Sequence, residues 1–439
     1  MGERIKCDIV FIGGGLNYAG AVTASRNGKN VVLVEQNLNH LGGTCLHNGC
    51  IPSKHLLHLS KTVFEIKNPA FKTKKENLEL KAAQEELDLI LSNASTAVRK
   101  QLENANVNIV EGKGFLTDRG KVETKDFLIE ADTVVIGTGS YAFIPEGIEY
   151  NGENIITSDD ALRLKNFPKN IAIYGNGAIG LEFATFFAIS GVETTLIYRG
   201  EKLLKKADER INSALEKKLL QMKIVLKNKT SVLEAKEHEK GVRIVTDKGV
   251  MEYDMLFVAT GRRACKDVIK TDLIKVEDKG IVTDDYFETS LKNHYAIGDC
   301  NGKLQLAHAA RAEVLNVVQK ICYGKVSKLN LYNIPKFIYT LPLSYANVGD
   351  IENSSKNSVF RLSSLTLSQS YDAKEGVIII YADDEDFITG AEIFSPFAEE
   401  LIGIVNTAIN AELDKESFLK TVFAHPTFSE GIQRTLMKL

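Results

Sequence analysis

The chain has 439 residues and a formal net charge of −3, from 54 Lys and Arg against 57 Asp and Glu, and this near-balance argues against a general nucleic-acid binder. Its length suggests about three domains, and 44% hydrophobic with 25% charged residues is the composition of a globular protein. No apolar run approaches the roughly 18 residues of a membrane span, and six cysteines are too few for a secreted disulfide scaffold of this length, so we expect a soluble, cytoplasmic, multidomain protein.

The first informative pattern is a strand, a glycine turn, a helix and a second strand. Residues 7–12 form a short apolar run typical of a buried parallel strand. Gly13 and Gly15 would let the backbone approach a pyrophosphate at a helix N-terminus. Glu35 lies 20 positions after Gly15, the distance at which an acid accepts from a ribose hydroxyl. Tyr18 stands where a third glycine is expected, so an ordinary glycine turn remains the alternative to a dinucleotide site.

The same pattern returns further along the chain with a complete fingerprint. Gly175, Gly177 and Gly180 have the spacing of a dinucleotide-binding turn. The elements predicted around the turn are a strand, a helix and a strand at residues 170–174, 181–190 and 193–198. Two such units in one chain predict two dinucleotide sites.

The second unit also carries a signal for the kind of nucleotide. Its last strand ends at Arg199, where an acid would hydrogen-bond the ribose 2′-hydroxyl of NAD. Arg199 can instead pair with a 2′-phosphate, and Lys205 is one of three lysines that add positive charge nearby. The sequence therefore favours NADPH, and a solvated charge run is the alternative.

The remaining segments complete the domain organisation. Apolar residues recur at helical spacing over residues 81–104, which predicts an amphipathic helix. Two apolar strands end in matching glycine turns at residues 134–139 and 256–261, where we expect the chain to cross between domains. From about residue 329 the glycine turns stop, and strands at 377–381 and 390–394 precede a helix at 398–411, which suggests a third, α+β domain.

The strongest chemical signal is the pair Cys45 and Cys50. Four residues lie between the two cysteines, a separation that permits a short-loop disulfide. Pro52 suits the first turn of a helix, so Cys50 would lie at that helix's N-terminus, where the dipole favours a reactive thiolate. The alternatives are a metal pair or two buried cysteines. A zinc site needs further Cys or His at regular spacing, which the sequence lacks, and we expect no metal.

This redox motif resembles the active site of the flavin-dependent pyridine nucleotide–disulfide oxidoreductases, the family of dihydrolipoamide dehydrogenase, glutathione reductase and mercuric reductase. The resemblance covers nearly the whole chain, in the same order. Residues 296–299 look like the family's flavin ribityl site, and Leu306, Ala307 and His308 follow just downstream. Residues 425–430 resemble the family's His–Glu dyad.

The resemblance implies a route for two electrons between NAD(P)H, FAD, a Cys45–Cys50 disulfide and a dithiol or disulfide substrate. Cys45 resembles the interchange thiol and Cys50 the flavin-facing sulfur. His425, oriented by Glu430, would be the base of thiol–disulfide exchange. In the family's homodimers this histidine reaches the other subunit's cysteines, so a homodimer is implied here.

The remaining site residues follow from the motifs and the resemblance together. Lys54 and Glu182 resemble the ion pair beside the flavin's hydride-accepting nitrogen. The FAD contacts are expected at Gly13, Gly15, Glu35, Gly42, Gly43, Thr44, Lys54, Gly114, Thr138, Gly139, Asp299, Leu306 and Ala307. The NAD(P) contacts are expected at Gly175, Gly177, Gly180, Glu182, Arg199, Lys205 and Gly261. The other cysteines are interpreted as packing residues: Cys7, Cys265, Cys300 and Cys322.

The implied fold class is α/β, with two Rossmann-like domains and a C-terminal α+β dimerisation domain. The FAD-binding domain is expected at residues 1–141 and 266–326, the NAD(P)-binding domain at 142–265 and the dimerisation domain at 327–439.

Two features of the sequence point to different members of this family. Residues 51–54 resemble dihydrolipoamide dehydrogenases and mercuric reductases, whereas Arg199 departs from the acid that the former usually carry. Mercuric reductase also needs a C-terminal cysteine pair, and the last cysteine here is Cys322. Leu343 stands where many members have Glu.

Three hypotheses about the function are consistent with these motifs. The leading one is a dihydrolipoamide-dehydrogenase-like enzyme that prefers NADP(H), with a partner such as a lipoyl domain of a 2-oxoacid dehydrogenase or glycine cleavage complex, and without nucleic acid or membrane partners. The second is an NADPH-dependent reductase of another small disulfide, of the glutathione or coenzyme A type. The third is a flavoprotein subunit or redox sensor of a larger complex.

Overall fold

The computed structural model describes residues 2–67, 78–239, 241–325 and 327–439. The chain forms two compact units, each built from three segments. The first unit comprises Met1–Ser53, Gln84–Phe143 and Arg262–Leu331. The second unit comprises Lys54–Ala83, Ile144–Gly261 and Tyr332–Leu439.

The strands are short, as is usual in globular proteins. In chain order they are β1 (Glu3–Ile12), β2 (Val31–Glu35), β3 (Asn108–Glu111), β4 (Phe115–Asp118), β5 (Lys121–Glu123), β6 (Phe127–Ile136), β7 (Ser140–Ala142), β8 (Ile155–Ile156), β9 (Asn170–Tyr174), β10 (Glu193–Ile197), β11 (Val225–Lys227), β12 (Val232–His238), β13 (Gly241–Thr246), β14 (Gly249–Tyr253), β15 (Met255–Val258), β16 (Arg262–Ala264), β17 (Val276–Glu277), β18 (Gly280–Ile281), β19 (His294–Ala296), β20 (Lys336–Ile338), β21 (Ser344–Gly349), β22 (Lys356–Arg361), β23 (Val377–Ala382) and β24 (Ile388–Ser395).

The helices range from single turns to a helix of 25 residues. In chain order they are α1 (Asn17–Arg26), α2 (Gly43–His47), α3 (Cys50–Ile66), α4 (Leu80–Asn104), α5 (Ser158–Ala161), α6 (Ala178–Ile189), α7 (Glu209–Gln221), α8 (Ala307–Tyr323), α9 (Leu367–Ser370), α10 (Ala398–Asn410), α11 (Lys415–Leu419) and α12 (Glu430–Leu436).

The first unit is organised around a sheet whose strand order is β3-β2-β1-β6-β5-β4. β1 lies between β2 and β6 and is parallel to both, and β19 pairs with the last residues of β6. All five residues of β2 are buried, as expected of a parallel strand covered on both faces. The first glycine turn follows the carboxyl end of β1, which is where open α/β sheets bind ligands.

The second unit contains a parallel sheet of order β11-β10-β9-β15-β8 and an antiparallel sheet of β12, β13 and β14. α6 joins β9 to β10 and is apolar on most of its surface, so it is buried against the sheet. Phe183, Phe186 and Phe187 of this helix form ring contacts with one another.

A third sheet, also in the second unit, has the order β20-β21-β24-β23-β22 and is antiparallel throughout. β23 is buried along its whole length, and α10 buries its apolar face. The sequence-based prediction of a C-terminal α+β arrangement is confirmed, because the strands predicted at 377–381 and 390–394 are β23 and β24 and the predicted helix is α10.

Most element predictions are confirmed, with one correction. The helix predicted over residues 81–104 is α4. The helix after the second glycine turn begins at Ala178 rather than at residue 181, because Gly177 is already its N-cap and the last glycine of the fingerprint lies inside the first turn. The domain boundaries stay predictions. Among the described residues, no helix has the length and apolar character that crossing a bilayer requires.

Candidate active site

A cavity of about 820 Å³ opens in the first unit at the carboxyl ends of β1, β2 and β6. The predicted flavin contacts that line it are Gly13, Gly15, Glu35, Gly43, Thr44, Gly114, Thr138 and Gly139. Four others in this unit lie outside the lining: Gly42, Asp299, Leu306 and Ala307. Lys54 belongs to the second unit.

Glycines in this cavity leave space for backbone groups to come close to a bound ligand. A Cβ on Gly43 would lie 2.7 Å from the Cα of Gly15, and a Cβ on Gly13 would lie 2.5 Å from the carbonyl oxygen of Gly137. Gly13 also has φ of +99°, which disfavours any residue with a side chain. Side chains here would occupy the space in which backbone groups approach a pyrophosphate, so the cradle fits the dinucleotide half of FAD.

Glu35 is buried at the end of β2 and lines the same cavity. Its two oxygens accept the backbone N–H groups of Gly14 at 2.6 Å and Asn37 at 3.1 Å. These bonds fix the orientation of the carboxylate. Each oxygen keeps further lone-pair capacity, which is what a ribose hydroxyl needs from an acceptor.

Asp299 lies at the end of a chain of hydrogen bonds. The Ser140 hydroxyl donates to Asp299 Oδ2 at 2.5 Å, while Arg262 Nε donates to the Ser140 hydroxyl at 2.8 Å and Nη2 to the Ser140 carbonyl at 2.7 Å. Burial raises the pKa of Asp299, and the Ser140 hydrogen bond and the Arg262 charge oppose that rise. Arg262 therefore favours the ionised form of Asp299 through an intervening serine.

Glu313 is a buried carboxylate on α8 that hydrogen-bonds to residues on either side of Asp299. Its Oε2 accepts the Gly298 N–H at 2.7 Å and the Asn301 side-chain amide at 2.9 Å. Its Oε1 has no hydrogen-bond partner among the described residues. Burial raises the pKa of Glu313 to about 7.

Replacing Glu313 by Gln is expected to flatten the pH dependence of stability. Between the ordinary glutamate pKa of 4.5 and the folded value of about 7, the folded protein keeps a proton that the unfolded chain has released. The free energy of unfolding of the wild type therefore falls as pH rises through this interval, by about 3 kcal/mol for this group. Glu313→Gln has no ionisation and lacks this fall.

The check is the unfolding midpoint of the holoenzyme from about pH 4.5 to about pH 8, for wild type and Glu313→Gln in parallel. The variant should gain stability relative to the wild type only on the alkaline side. Two parallel pH profiles would show that Glu313 does not ionise in this interval.

The two redox cysteines lie on consecutive helices. Cys45 is half-buried within α2, and Cys50 is exposed as the first residue of α3. The predicted position of Cys50 at a helix N-terminus is therefore confirmed. Between them, His47 Nε2 lies 3.0 Å from the Leu41 carbonyl oxygen, and its ring stacks on His40 with centroids 5.0 Å apart. Both imidazoles line the cavity.

The second glycine turn has the steric requirements of a dinucleotide fingerprint. Gly175 has φ of +122°, and a Cβ there would lie 2.2 Å from the Ala259 carbonyl oxygen. A Cβ on Gly180 would lie 1.9 Å from the Gly175 carbonyl oxygen. The last glycine therefore allows α6 to pack closely on the turn, which is its role in this motif.

Arg199 and Lys205 are exposed in the loop after β10. Neither forms an ion pair within the ranges that the structure describes. The neighbouring Lys202 and Lys206, in contrast, are paired with Glu209 at 2.5 Å and Glu352 at 2.9 Å. In the described part of the chain, two positive charges of this loop thus have no acidic partner.

Lys54 and Glu182 form the predicted ion pair. Lys54 Nζ lies 2.6 and 2.7 Å from the two oxygens of Glu182. Glu182 is buried on α6 and also accepts the Tyr339 N–H at 2.9 Å. The Lys54 ammonium lies 5.7 Å from the Phe337 ring centroid and 6.0 Å from that of Tyr339, so two aromatic faces add to its electrostatic environment.

His425 and Glu430 also form the predicted contact. His425 Nδ1 lies 2.9 Å from Glu430 Oε1, and Thr427 N–H donates to Glu430 Oε2 at 3.1 Å. The His425 hydrogen bond lowers the pKa of Glu430. Because an ionised carboxylate only accepts, Nδ1 carries the hydrogen and Nε2 is the basic nitrogen. The His425 side chain is 80% exposed and that of Glu430 only 14%.

The other cysteines divide into two groups. Cys7 and Cys300 are buried, which raises the pKa of each thiol to about 12 and confirms their interpretation as packing residues. Cys265 differs from the prediction, because it is half-buried and lines the cavity beside Lys266. Cys322 is half-buried on α8.

Several residues that build the site escaped the sequence-based prediction. They are His40, Lys113, Ser140, Arg262, Cys265 and Glu313. Glu313 lies 14 residues after Asp299, inside α8, and this spacing matches no motif. For Arg262, the one local signal in the sequence is its position directly after the glycine turn that ends at Gly261.

Comparison with known proteins agrees with this geometry. The family model described as pyridine nucleotide-disulphide oxidoreductase matches residues 7–313, and the dimerisation domain of the same family matches residues 334–436. The chain is 30% identical to "Dihydrolipoyl dehydrogenase 2, mitochondrial" of Arabidopsis thaliana, covering 98% of this chain and 90% of the plant protein. It is also 30% identical to dihydrolipoyl dehydrogenase of Bacillus subtilis, covering 98% of both chains.

Solved structures agree on the fold. The HOCl-induced flavoprotein disulfide reductase RclA of Escherichia coli, solved as a Cu(II) complex, superimposes with a TM-score of 0.89 at 22% identity, over 99% of each chain. Both family models cover long, consecutive parts of this chain, and the relatives align over nearly all of it. The chain therefore belongs to the pyridine nucleotide-disulphide oxidoreductases, FAD-dependent enzymes that exchange electrons between a nicotinamide nucleotide and a disulfide.

Proposed function

We propose that this enzyme exchanges electrons between NADP(H) and dihydrolipoamide-type dithiols, with Cys45 and Cys50 as its redox pair. The observation that carries the proposal is the arrangement of these cysteines, one half-buried within α2 and the other exposed at the start of a 17-residue helix. A helix N-terminus stabilises a thiolate, the form that attacks a disulfide. The dihydrolipoyl dehydrogenase relatives, aligned over 98% of the chain, support this substrate class.

FAD, when bound, supplies the two-electron redox chemistry of the site. The residues proposed to hold it are the cradle glycines Gly13, Gly15 and Gly43, the carboxylate of Glu35 and the Asp299 side chain. In this proposal Glu35 accepts from the ribose, and Asp299 accepts from the ribityl chain while Ser140 and Arg262 hold it in place.

His425 is proposed as the base that removes and returns the thiol proton. Its Nδ1 is held by Glu430 at 2.9 Å, which leaves Nε2 as the acceptor of a proton. Because the imidazole is exposed, it is accessible to groups of another subunit. We propose that it acts on the cysteine pair of the second subunit of a homodimer. The dimerisation domain matched over residues 334–436 supports this assembly.

The preference for NADPH rests on the basic side chains after β10. Arg199 and Lys205 have exposed charges without an acidic partner among the described residues, which suits a 2′-phosphate. The family's acid at the position of Arg199 would repel that group. A lipoyl domain of a larger complex is proposed as the natural dithiol carrier, and a cytoplasmic location and the predicted domain boundaries remain parts of the proposal.

A substrate panel tests the function directly. We expect the purified holoenzyme to turn over lipoamide or dihydrolipoamide at least about 100-fold more efficiently, as kcat/KM, than glutathione disulfide or coenzyme A disulfide. The panel is run with NADP(H) and NAD(H) in parallel. Preferential turnover of another small disulfide would replace lipoamide as the substrate. Lack of turnover with all three, together with stable association in a complex, would favour a flavoprotein subunit or redox sensor.

A further inference from the structure

The loop at residues 199–207, here called the basic loop, is irregular along its length. It contains neither helix nor strand, so its peptide groups must find partners outside a regular ladder. Arg199 and Lys205, two cations of this loop, form no ion pair with any residue that the structure describes. The ion pairs of Lys202 with Glu209 and of Lys206 with Glu352 fix other side chains of the loop. The positions of the Arg199 and Lys205 charges therefore depend on how the loop backbone is held.

The Lys229 N–H holds the start of this backbone, next to Arg199, by donating to the Gly200 carbonyl oxygen at 3.1 Å. Two asparagine side chains hold the rest of it, around Lys205. Asn176, in the second glycine turn, donates to the carbonyl oxygens of Lys202 at 3.1 Å and Leu203 at 2.8 Å. Asn212, in the first turn of α7, makes the larger set of contacts. The basic loop is thus joined both to the dinucleotide fingerprint and to the following helix.

Asn212 is only 5% exposed, and both ends of its side-chain amide are used. Oδ1 accepts the Leu204 N–H at 2.8 Å, and Nδ2 donates to the carbonyl oxygens of Leu204 at 3.0 Å and Ala207 at 3.1 Å. One neutral side chain thus satisfies one donor and two acceptors of the loop. An aspartate lacks the two donors, and an aliphatic residue of similar size lacks all three bonds.

We propose that Asn212 is a positioning residue for the nucleotide, which holds the basic loop so that Arg199 and Lys205 meet the 2′-phosphate of NADPH. The inference rests on the proposed NADPH preference and adds a residue that itself contacts no nucleotide. A loop held in its binding geometry loses little conformational freedom when the phosphate arrives. Loss of Asn212 should therefore weaken recognition of the phosphate and spare recognition of the rest of the nucleotide.

The experiment compares two nucleotide probes, 2′,5′-ADP and 5′-AMP, by calorimetric titration of the holoenzyme. We expect Asn212→Ala to weaken binding of 2′,5′-ADP by about 10-fold or more, the value of a charge-assisted phosphate contact, and to leave 5′-AMP binding unchanged. In steady state the KM for NADPH should rise while kcat and the KM for NADH stay constant. Asn212→Ser, which keeps one hydrogen-bonding group, should show a smaller loss and serves if the alanine variant does not fold.

Leu215→Ala is the matched control. Leu215 lies one turn further along α7, is 1% exposed and forms no hydrogen bond with the loop, so its loss weakens the same helix without releasing the loop. An Asn212→Ala enzyme that binds 2′,5′-ADP as tightly as the Leu215→Ala enzyme does would overturn the inference. An equal loss of affinity for both probes would overturn it as well.

A different result is expected if the proposed preference for NADPH is itself wrong. If the wild type binds 2′,5′-ADP and 5′-AMP equally, or if Arg199→Glu leaves their ratio unchanged, the NADPH proposal itself is wrong. If the wild type discriminates and Arg199→Glu removes the discrimination while Asn212→Ala keeps it, only the role of Asn212 is wrong.

Discussion

Replacing Cys45 or Cys50 by serine is expected to lower disulfide turnover by about 10⁴-fold or more, because a hydroxyl neither forms a disulfide nor attacks one at neutral pH. Each sulfur is needed in the proposed exchange. Cys45 would form the mixed disulfide with substrate, and Cys50 would resolve it by closing the Cys45–Cys50 bond. The measurement is steady-state oxidation of NADPH with lipoamide, for both variants and the wild type.

The matched control is Cys322→Ser, a half-buried cysteine of the first unit with no proposed redox role, which should keep wild-type turnover. A second control uses ferricyanide, an electron acceptor that needs no thiol. Both active-site variants should still oxidise NADPH with ferricyanide, which separates a lost thiol from a lost cofactor. Substantial lipoamide turnover by either serine variant would remove that cysteine from the mechanism.

Peptide mapping without reductant gives an independent readout. The oxidised wild type should yield a peptide cross-linked between Cys45 and Cys50, and NADPH should convert it to two free thiols. A wild type whose two cysteines never form this cross-link would contradict the proposed redox pair even if turnover were high.

Local signals explain why much of the site could be predicted from the sequence. Glycine turns, helix starts and short-range pairs depend on residues close together in the chain. The turn after β1 and the start of α3 follow from Gly13 and Pro52 in this way. The His425–Glu430 contact spans five residues, so a local motif was enough to predict it.

The contacts that surround these motifs come from distant parts of the chain. Ser140 reaches Asp299 across 159 residues, and Arg262 reaches Ser140 across 122. No periodicity or spacing encodes such pairs, because they exist only once the strands have been placed beside one another. The same reason explains why the sequence alone does not place Cys265 at the cavity: it follows β16, which pairs with β7, a strand distant in the chain.

Asn212 shows the limit of pattern reading within a single helix. In the sequence it is a polar residue near the start of an amphipathic helix, where a solvent-facing side chain is the usual expectation. In the fold its side chain instead faces the basic loop, which ends directly before the helix cap. Its amide is buried there and hydrogen-bonds to the peptide groups of Leu204 and Ala207. Charge patterning alone drew attention to Arg199 and Lys205 but not to the residue that holds them.

The second prediction concerns His425. Replacing it by alanine is expected to lower lipoamide turnover by about 10²- to 10⁴-fold, the usual contribution of a general base. Glu430→Gln should cost less, because the amide still accepts the Nδ1 hydrogen while losing the charge that stabilises the imidazolium. The ferricyanide reaction should be unchanged in both variants, since it involves no thiol proton.

His238→Ala is the matched control for a surface histidine beside a carboxylate. His238 is also exposed, and its Nε2 lies 3.7 Å from Glu252 in the same unit of the chain. We expect this variant to turn over lipoamide at the wild-type rate. Equal losses in the His238→Ala and His425→Ala enzymes would show that the effect is one of general surface charge and not of base catalysis.

Mixed dimers test whether His425 serves the partner's cysteines. A dimer of one Cys45→Ser subunit and one His425→Ala subunit contains both defects in every arrangement. If each site takes its cysteines from one subunit and its histidine from the other, one of the two sites has wild-type cysteines and a wild-type histidine, and the other has neither.

Such a dimer, purified with two different affinity tags, should keep roughly half of the wild-type activity, whereas both parent homodimers are nearly inactive. If both groups came from one subunit, each site of the mixed dimer would carry one defect and the mixture would be as inactive as its parents. The first result requires the homodimer as the catalytic unit, because only a second subunit can then complete the site, and an inactive mixed dimer would place His425 beside the cysteines of its own chain.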